Sequence, residues 1–182
     1  MDVVKTNVEH VGGSVNMLST PDVGTTFTLK IPLSMSIIKG LIVEAGAQRF
    51  ILPLDSIEET VKLPAKDIRR YKSSMVADIR DEVLPLMNLC RILGIASDQE
   101  RLLHEDGNYP VPIVVVNVEG MKCGIIVDRF QKEQEFVVKG LSEELAALKI
   151  YTGATILGDG SVVLILNLAH LMHMYSTGEM GG

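Results

Sequence analysis

Apolar positions along the chain fall mainly into runs of strand length, and two of those runs follow one plan. Val83 to Leu93 (VLPLMNLCRIL) and Val162 to Met172 (VVLILNLAHLM) each hold an apolar stretch, an Asn, a Leu and then a short segment with helically spaced apolar residues. Both read as a buried strand that runs into a short helix. Asn88 and Asn167 are the expected N-caps, because an Asn side-chain oxygen accepts a free amide of the first helical turn. A second echo precedes each copy. Aligning Asp55 with Asp128 pairs Arg49 with Lys122, Leu52 with Ile125, Leu54 with Val127 and Ile57 with Phe130. Two echoes in the same order predict a duplicated all-β unit, built as two small similar barrels or sheets.

In chain order, Asp2 to His10 is spaced as the end of an amphipathic helix that Gly12 and Gly13 stop. Ser14 to Leu18 and Thr25 to Leu33 alternate as strands about a turn at Pro21 to Gly24, with Phe27, Leu29 and Ile31 on one face. This first segment is too small to close a core alone. Next come strands at Ile37 to Glu44 and Gln48 to Leu54, and then Asp55 to Leu63, with Ile57 inward and acids outward. Pro64 to Tyr71 reads as a short polar helical turn, with Lys66, Arg69, Arg70 and Lys72 as its solvated face. Val76 to Arg80 and Val83 to Met87 form a hairpin across Asp81 and Glu82, and Gly94 ends the first Asn-capped helix. Ser97 to Pro110 is an exposed connection, with one helical turn after Asp98. Pro112 to Val118 and Lys122 to Val127 pair about Glu119 and Gly120, and Gln131 to Lys139 continues as a charged strand. Ser142 caps a helix to Leu148. Thr152 to Leu157 and Ser161 to Leu166 pair across Gly158, Asp159 and Gly160, and a frayed tail starts at Ser176.

Composition narrows the function. With 182 residues, 47% hydrophobic and 22% charged, the chain can bury a substantial core. A net charge of -6 and only 4% aromatic residues, with no Trp, argue against a nucleic-acid surface. The first residues carry no secretory signal, and no apolar run reaches bilayer-spanning length, so the expectation is a cytoplasmic protein without direct membrane insertion. Cys90 and Cys123 lie alone in apolar contexts, which favours buried, reduced thiols.

Catalytic chemistry finds little support. His170 and His173 are three apart on a helix but have no evident third metal ligand. His10 and His104 have no Ser or Cys in a nucleophile context, and Glu58, Glu59, Glu143 and Glu144 fall on polar faces. Gly12-Gly13 and Gly158-Asp159-Gly160 lack the strand-loop-helix setting of a phosphate loop. No catalytic residue, cofactor site or metal site is expected.

Two stretches carry a resemblance. MDVVKTNVEHVGGSVNMLSTPDVGTTFTLKIPL resembles the last helix and hairpin of the ATP-binding domain of the histidine-kinase superfamily, in the form found in chemotaxis kinases, with Gly24, Thr25 and Phe27 as its closing Gly-Thr-x-Phe motif. The magnesium-holding Asn helix, the adenine-reading Asp-x-Gly-x-Gly and the glycine-rich lid of that family have no counterpart in these residues. IPLSMSIIKGLIVEAGAQRFILPLDSIEETV, DIRDEVLPLMNL, GIIVDRFQKEQEFVVKGL and TGATILGDGSVVLILNL are similar to the CheW-like regulatory domain that ends chemotaxis kinases of the CheA type.

The resemblance implies a mainly β fold: two intertwined five-stranded SH3-like barrels with a few short helices, behind an α/β remnant. It divides the chain into 1–33 (ATP-binding remnant), 34–175 (CheW-like domain) and 176–182 (tail). It implies a scaffold that binds the coupling protein CheW and chemoreceptor cytoplasmic tips and relays receptor state to the ATP-binding domain through Ile31 to Ser36. The fragment itself would be no enzyme. Its parent would be an ATP-dependent protein-histidine kinase that uses ATP and magnesium, associated with membrane receptor arrays through its partners. Arg80 aligns with the arginine of the Asn-Leu-Arg-Gly phrase of coupling proteins, Asp81 replacing the glycine; Glu82, Ile57 and Asp159 are further partner-binding candidates on the barrel ends. A free coupling adaptor and a small-molecule-binding β-barrel are the alternatives. The kinase-like tail argues against the first, and a deep apolar pocket would favour the second.

Overall fold

The computed structural model describes residues 2–10, 13–30, 36–71, 74–97 and 107–177. The helical turn predicted after Asp98, His104, Lys72, most of the Ile31 to Ser36 connection and the tail beyond Thr177 lie outside them; Ser176 and Thr177, expected to fray, instead continue the last helix, their hydroxyls donating to His173 O. The chain divides into two compact units, 1–36 and 37–182.

The first unit is helix α1 (Asp2–His10) and a hairpin of β1 (Ser14–Thr20) and β2 (Gly24–Lys30). The register sets Met17 opposite Phe27 and Val15 opposite Leu29, so one face of the hairpin is apolar. That face is open: Met17 is 57%, Phe27 47% and Leu29 49% exposed.

The second unit is built from two sheets. Strands β3 (Ser36–Ala45), β4 (Gln48–Pro53), β11 (Arg129–Val138), β12 (Tyr151–Ile156) and β13 (Val162–Leu166) form one, in the order β11-β3-β4-β13-β12. Reciprocal backbone hydrogen bonds between Lys139 and Ala154, at 2.7 and 3.0 Å, join its two ends into a barrel. Strands β5 (Ile57–Pro64), β6 (Ile68–Tyr71), β7 (Ser74–Ile79), β8 (Glu82–Asn88), β9 (Pro110–Val118) and β10 (Met121–Ile126) form the other, in the order β5-β9-β10-β8-β7-β6. Its edge strands β5 and β6 are consecutive in the chain, separated by one 3-10 turn at Ala65–Asp67. This barrel therefore counts six strands where five were expected, because one long strand is broken after Pro64, which has no N–H for the ladder. The predicted helical turn over Pro64 to Tyr71 is in fact that 3-10 turn followed by β6, so Arg69 and Arg70 lie on a strand, and Arg69 pairs with Asp78 across to β7.

The duplication is visible in the pairing. In each barrel a hairpin (β3-β4, or β9-β10) lays its second strand parallel to the strand that feeds an Asn-capped helix, β13 and β8 respectively. Leu86 faces Gly124 in one parallel pair and Ile165 faces Ile51 in the other, the positions that the two sequence echoes superpose. Asn88 accepts from the Arg91 amide at 3.1 Å ahead of α2 (Leu89–Ile92), and Asn167 accepts from the His170 amide at 3.1 Å ahead of α4 (Leu168–Thr177). Gly94, at φ 64, closes α2 in a Schellman arrangement, with Gly94 N–H on Arg91 O and Ile95 N–H on Cys90 O. Ser142 precedes α3 (Glu143–Ala147) but makes no side-chain cap, contrary to expectation. The barrels are intertwined because each strand that follows a hairpin changes sides: β5 follows β4 yet pairs with β9, and β11 follows β10 yet lies beside β3.

Three apolar cores result. Ile42, Ile51, Phe136, Val163 and Ile165 fill the five-stranded barrel, and Leu86, Val111, Ile113, Val115 and Ile126 lie in that of the six-stranded one. The largest lies between the barrels and takes the opposite faces of the same strands: Phe50 and Leu52, Val114 and Val116, Ile125 and Val127, with Leu171 and Met172 of α4. Strands buried on both faces need apolar residues at every position, which explains the unbroken run IVVV, Ile113 to Val116. A Cβ on Gly124 would lie 2.5 Å from Leu86 Cδ2 and 2.8 Å from Ile113 Cγ2, so these interiors are full.

Candidate protein-interaction site

The β7–β8 hairpin closes over two residues, Arg80 and Asp81, with Ile79 paired to Glu82. Both central residues have positive φ, 49° and 66°, which makes this a type I′ turn whose twist suits the strands; the turn is thus one residue earlier than the sequence pattern suggested. A non-glycine residue held there carries a strain of order 1 kcal/mol. Arg80 projects from the turn with 80% of its side chain exposed, and its Nε donates to the Glu59 carboxylate at 2.8 Å.

Glu59 owes its position to a bulge between Ile57 and Glu59 in β5. It falls on the half-buried row rather than outward as expected of the acids, while Glu58 stays exposed. Beyond the bulge, Val61 and Leu63 turn into the barrel, whereas Ile57 packs against the core between the barrels. Lys122 Nζ lies 3.1 Å from Glu58 and 3.4 Å from Glu82, and Asn117 donates to Glu58 at 2.8 Å. The Asn117 amide and the Lys122 ammonium hold the Glu58 carboxyl below its ordinary value, and Glu58 in turn raises Lys122. Arg80, Glu82 and Ile57 therefore share one end of the six-stranded barrel.

Asp159 does not join them. It stands in the β12–β13 turn of the other barrel, where the Ser161 hydroxyl and amide donate to Oδ1 at 2.5 and 2.9 Å and Arg49 Nη2 reaches Oδ2 at 2.8 Å. Ser161 first, then Arg49, hold its carboxyl well below the usual carboxylate range. Arg49 and Lys122 are the pair matched by the sequence echo, and each reaches from the second strand of its hairpin to an acid at the turn of the neighbouring one. The ends are alike in build and differ in charge, since the Asn88 and Asn167 alignment sets Arg80 against Asp159. Glu59, Arg49 and Lys122 as holding residues were missed at the sequence level. The Arg49–Lys122 echo was the available signal, but the bulge that turns Glu59 inward leaves no mark in the pattern.

Among the described residues no three His, Cys, Asp or Glu side chains gather as a metal site. No helix of the described residues is long and apolar enough to cross a membrane. Surface pockets of about 280 Å³ at Lys62, Tyr109 and Phe130 and about 390 Å³ at Ile38, Pro53 and Leu54 are shallow clefts outside the filled barrels.

The chain is similar to known proteins. Over 174 residues, 96% of the chain, it is 34% identical to the chemotaxis protein CheA of Treponema pallidum and 36% identical to the sensor histidine kinase CheAY of Helicobacter pylori. CheA of Bacillus subtilis is 35% identical over 170 residues, 92% of the chain and 24% of that protein. The chain spans about a fifth of the length of the first two, 21% of each. The scaffolding protein CheW from Thermoanaerobacter tengcongensis has the same fold, with a TM-score of 0.57 at 15% identity over 72% of this chain and 90% of that one. A CheW-like domain model matches residues 39–176, most of the chain and both barrels, and on that ground the chain belongs to the CheW-like domain family, in the form carried by CheA proteins.

Proposed function

We propose that this chain is the regulatory and scaffolding region of a chemotaxis sensor histidine kinase, one that docks a CheW-type coupling protein and chemoreceptor cytoplasmic tips. Its two barrel ends, which carry Arg80 with Glu82 and Asp159, are the contact surfaces, and Ile57 supports the first from beneath. The observation that carries this reading is the paired construction of those ends: matched hairpin turns, each held by a basic residue from a neighbouring strand, with charged groups exposed rather than gathered in a cleft. Such a surface suits recognition of another protein, where a few anchored charged side chains dominate.

Residues 1–33 belong, in this reading, to an ATP-binding domain. The 174-residue match to CheA is longer than the second unit and therefore includes part of the first. The open Met17, Phe27 and Leu29 face would pack within that domain, and receptor state would pass to it through Ile31 to Ser36. This chain would supply no catalysis of its own; ATP and magnesium would be handled by the rest of the kinase. The filled barrel interiors weigh against a small-molecule carrier.

Titration of the full chain with a CheW-type coupling protein from the same organism tests the reading. Binding is expected, and Arg80→Glu is expected to weaken it about tenfold or more. Absence of binding by the unmutated chain would overturn the scaffold reading; unchanged binding by the variant would remove Arg80 from the surface.

A further inference from the structure

Asp128 stands where the chain leaves β10 of one barrel and enters β11 of the other. Its backbone amide donates to Glu44 O at 2.8 Å, and its carboxylate is met from both barrels. From the five-stranded barrel, the amide of Gly46 in the β3–β4 turn donates to Oδ2. From the six-stranded barrel, the Cys90 thiol of α2 approaches the same oxygen at 3.7 Å, and the Ser97 hydroxyl beyond α2 donates to Oδ1 at 3.0 Å. Gly46 has φ +62°, and a Cβ there would lie 2.5 Å from Ile95 Cγ2 and 3.0 Å from Ala96 O. The hairpin of one barrel is therefore pressed against the very segment of the other that the carboxylate also holds.

We propose that Asp128 is a latch across the seam: one carboxylate fixes the β3–β4 turn of the five-stranded barrel to the α2 end of the six-stranded barrel and so sets the angle between them. Apolar packing between the barrels is non-directional and tolerates sliding, whereas an acceptor shared by three donors from two sides fixes one arrangement. If the barrel ends carry partners as proposed above, the latch sets their spacing; the experiment below does not depend on that reading.

Hydrogen exchange on the full chain is the test. In Asp128→Ala the amides of Gly46 and Ile95 are expected to exchange about tenfold or more faster, the scale of a lost charged hydrogen bond, while Ile51 and Ile113 inside the barrels stay within about twofold. Ile95 is the decisive amide, since its own bond is to Cys90 O at 2.8 Å and not to Asp128. Acceleration at Gly46 alone, or equal acceleration everywhere, overturns the latch. Asp128→Asn is expected to fall near the wild type, because its amide oxygen can stay on Gly46 N–H while its NH₂ turns to the Ser97 hydroxyl oxygen. Should Asp128→Ala not fold, thiol labelling of Gly46→Ala carries the test. Burial first, and then the Asp128 charge that this variant keeps, raise the Cys90 thiol, so faster labelling of Cys90 than in the wild type supports the latch. Cys123, buried and pushed up to about 12, should stay unlabelled; an unchanged Cys90 rate, or labelling of both thiols alike, overturns it.

Discussion

The two barrel ends are copies of one construction that have diverged in the turn. At the six-stranded end the chain turns through Arg80 and Asp81, two residues with side chains in a backbone region that suits glycine; at the five-stranded end it turns through Gly158, Asp159 and Gly160, with the positive φ of 82° on Gly160. The first end thus presents Arg80 beside Asp81 on a strained turn, the second Asp159 on a relaxed one. The supports Lys122 and Arg49 are equivalent and hold Glu82 and Asp159, whereas Arg80 is held separately by Glu59, so the ends differ both in what is displayed and in how it is held. A duplicated fold can in this way present two unlike surfaces on one scaffold.

The interiors diverged too, and there the expected effects are largest. Ile51 is fully buried in the five-stranded barrel, while its counterpart Gly124 leaves room that Leu86 and Ile113 occupy. Ile51→Ala should cost about 2–5 kcal/mol in urea unfolding through the cavity it leaves. Gly124→Ala should cost about 1–3 kcal/mol for the opposite reason, overpacking against Leu86 and Ile113. A neutral or stabilising Gly124→Ala would show that the six-stranded barrel is the looser of the two and would break the symmetry argued from their packing.

How much of this was legible in the sequence depends on the range of the signal. Asn88 and Asn167 act through hydrogen bonds to residues three positions on, and both caps were readable. The hairpins at Glu119-Gly120 and Gly158 to Gly160 were readable from turn chemistry. The exchange of β5 and β11 between barrels was available only from the resemblance, because alternation within a strand does not say which strand lies beside it. The inward turn of Glu59 and the bonds of Asp128 depend on residues distant in the chain, Arg80 for one and Gly46, Cys90 and Ser97 for the other. A bulge and a seam are tertiary facts, and local pattern does not register them. Arg80 itself could be singled out, though not its place inside the turn: an Arg-Asp pair has none of the Asn-Gly character that marks a type I′ turn.

The turns provide the next, smaller contrast. Asp81→Gly should stabilise the chain by up to about 1 kcal/mol by relieving a strained φ of 66°, whereas Gly160→Ala should destabilise it by about 1 kcal/mol by creating one. Thermal unfolding of the two variants checks both signs. If Asp81→Gly also weakens partner binding while raising Tm, the strain serves to hold Arg80 in its displayed position; if binding is unchanged, the strain is incidental to recognition.

The smallest expected effect is electrostatic and separates the ends by pH. Asp159 is held well below the usual carboxylate range by Ser161 and Arg49, and Glu58 is lowered from its ordinary value by Asn117 and Lys122. For a carboxyl whose pKa is depressed on folding, the unfolded state binds the proton more readily, so its contribution is complete above the unfolded value and is lost as pH falls through the folded one. Both ends should therefore weaken on acidification below about pH 4.5, with Glu58 giving way first and Asp159 persisting to lower pH, because its shift is the larger. Exposure keeps either contribution small, and salt should reduce it further. Chemical unfolding between pH 7 and pH 2 of the wild type, Glu58→Gln and Asp159→Asn reads the difference. Glu58→Gln should flatten the upper part of the acid slope and Asp159→Asn the lower part; identical slopes in all three would mean that neither clasp persists in solution, leaving the turn backbones alone to shape the two ends.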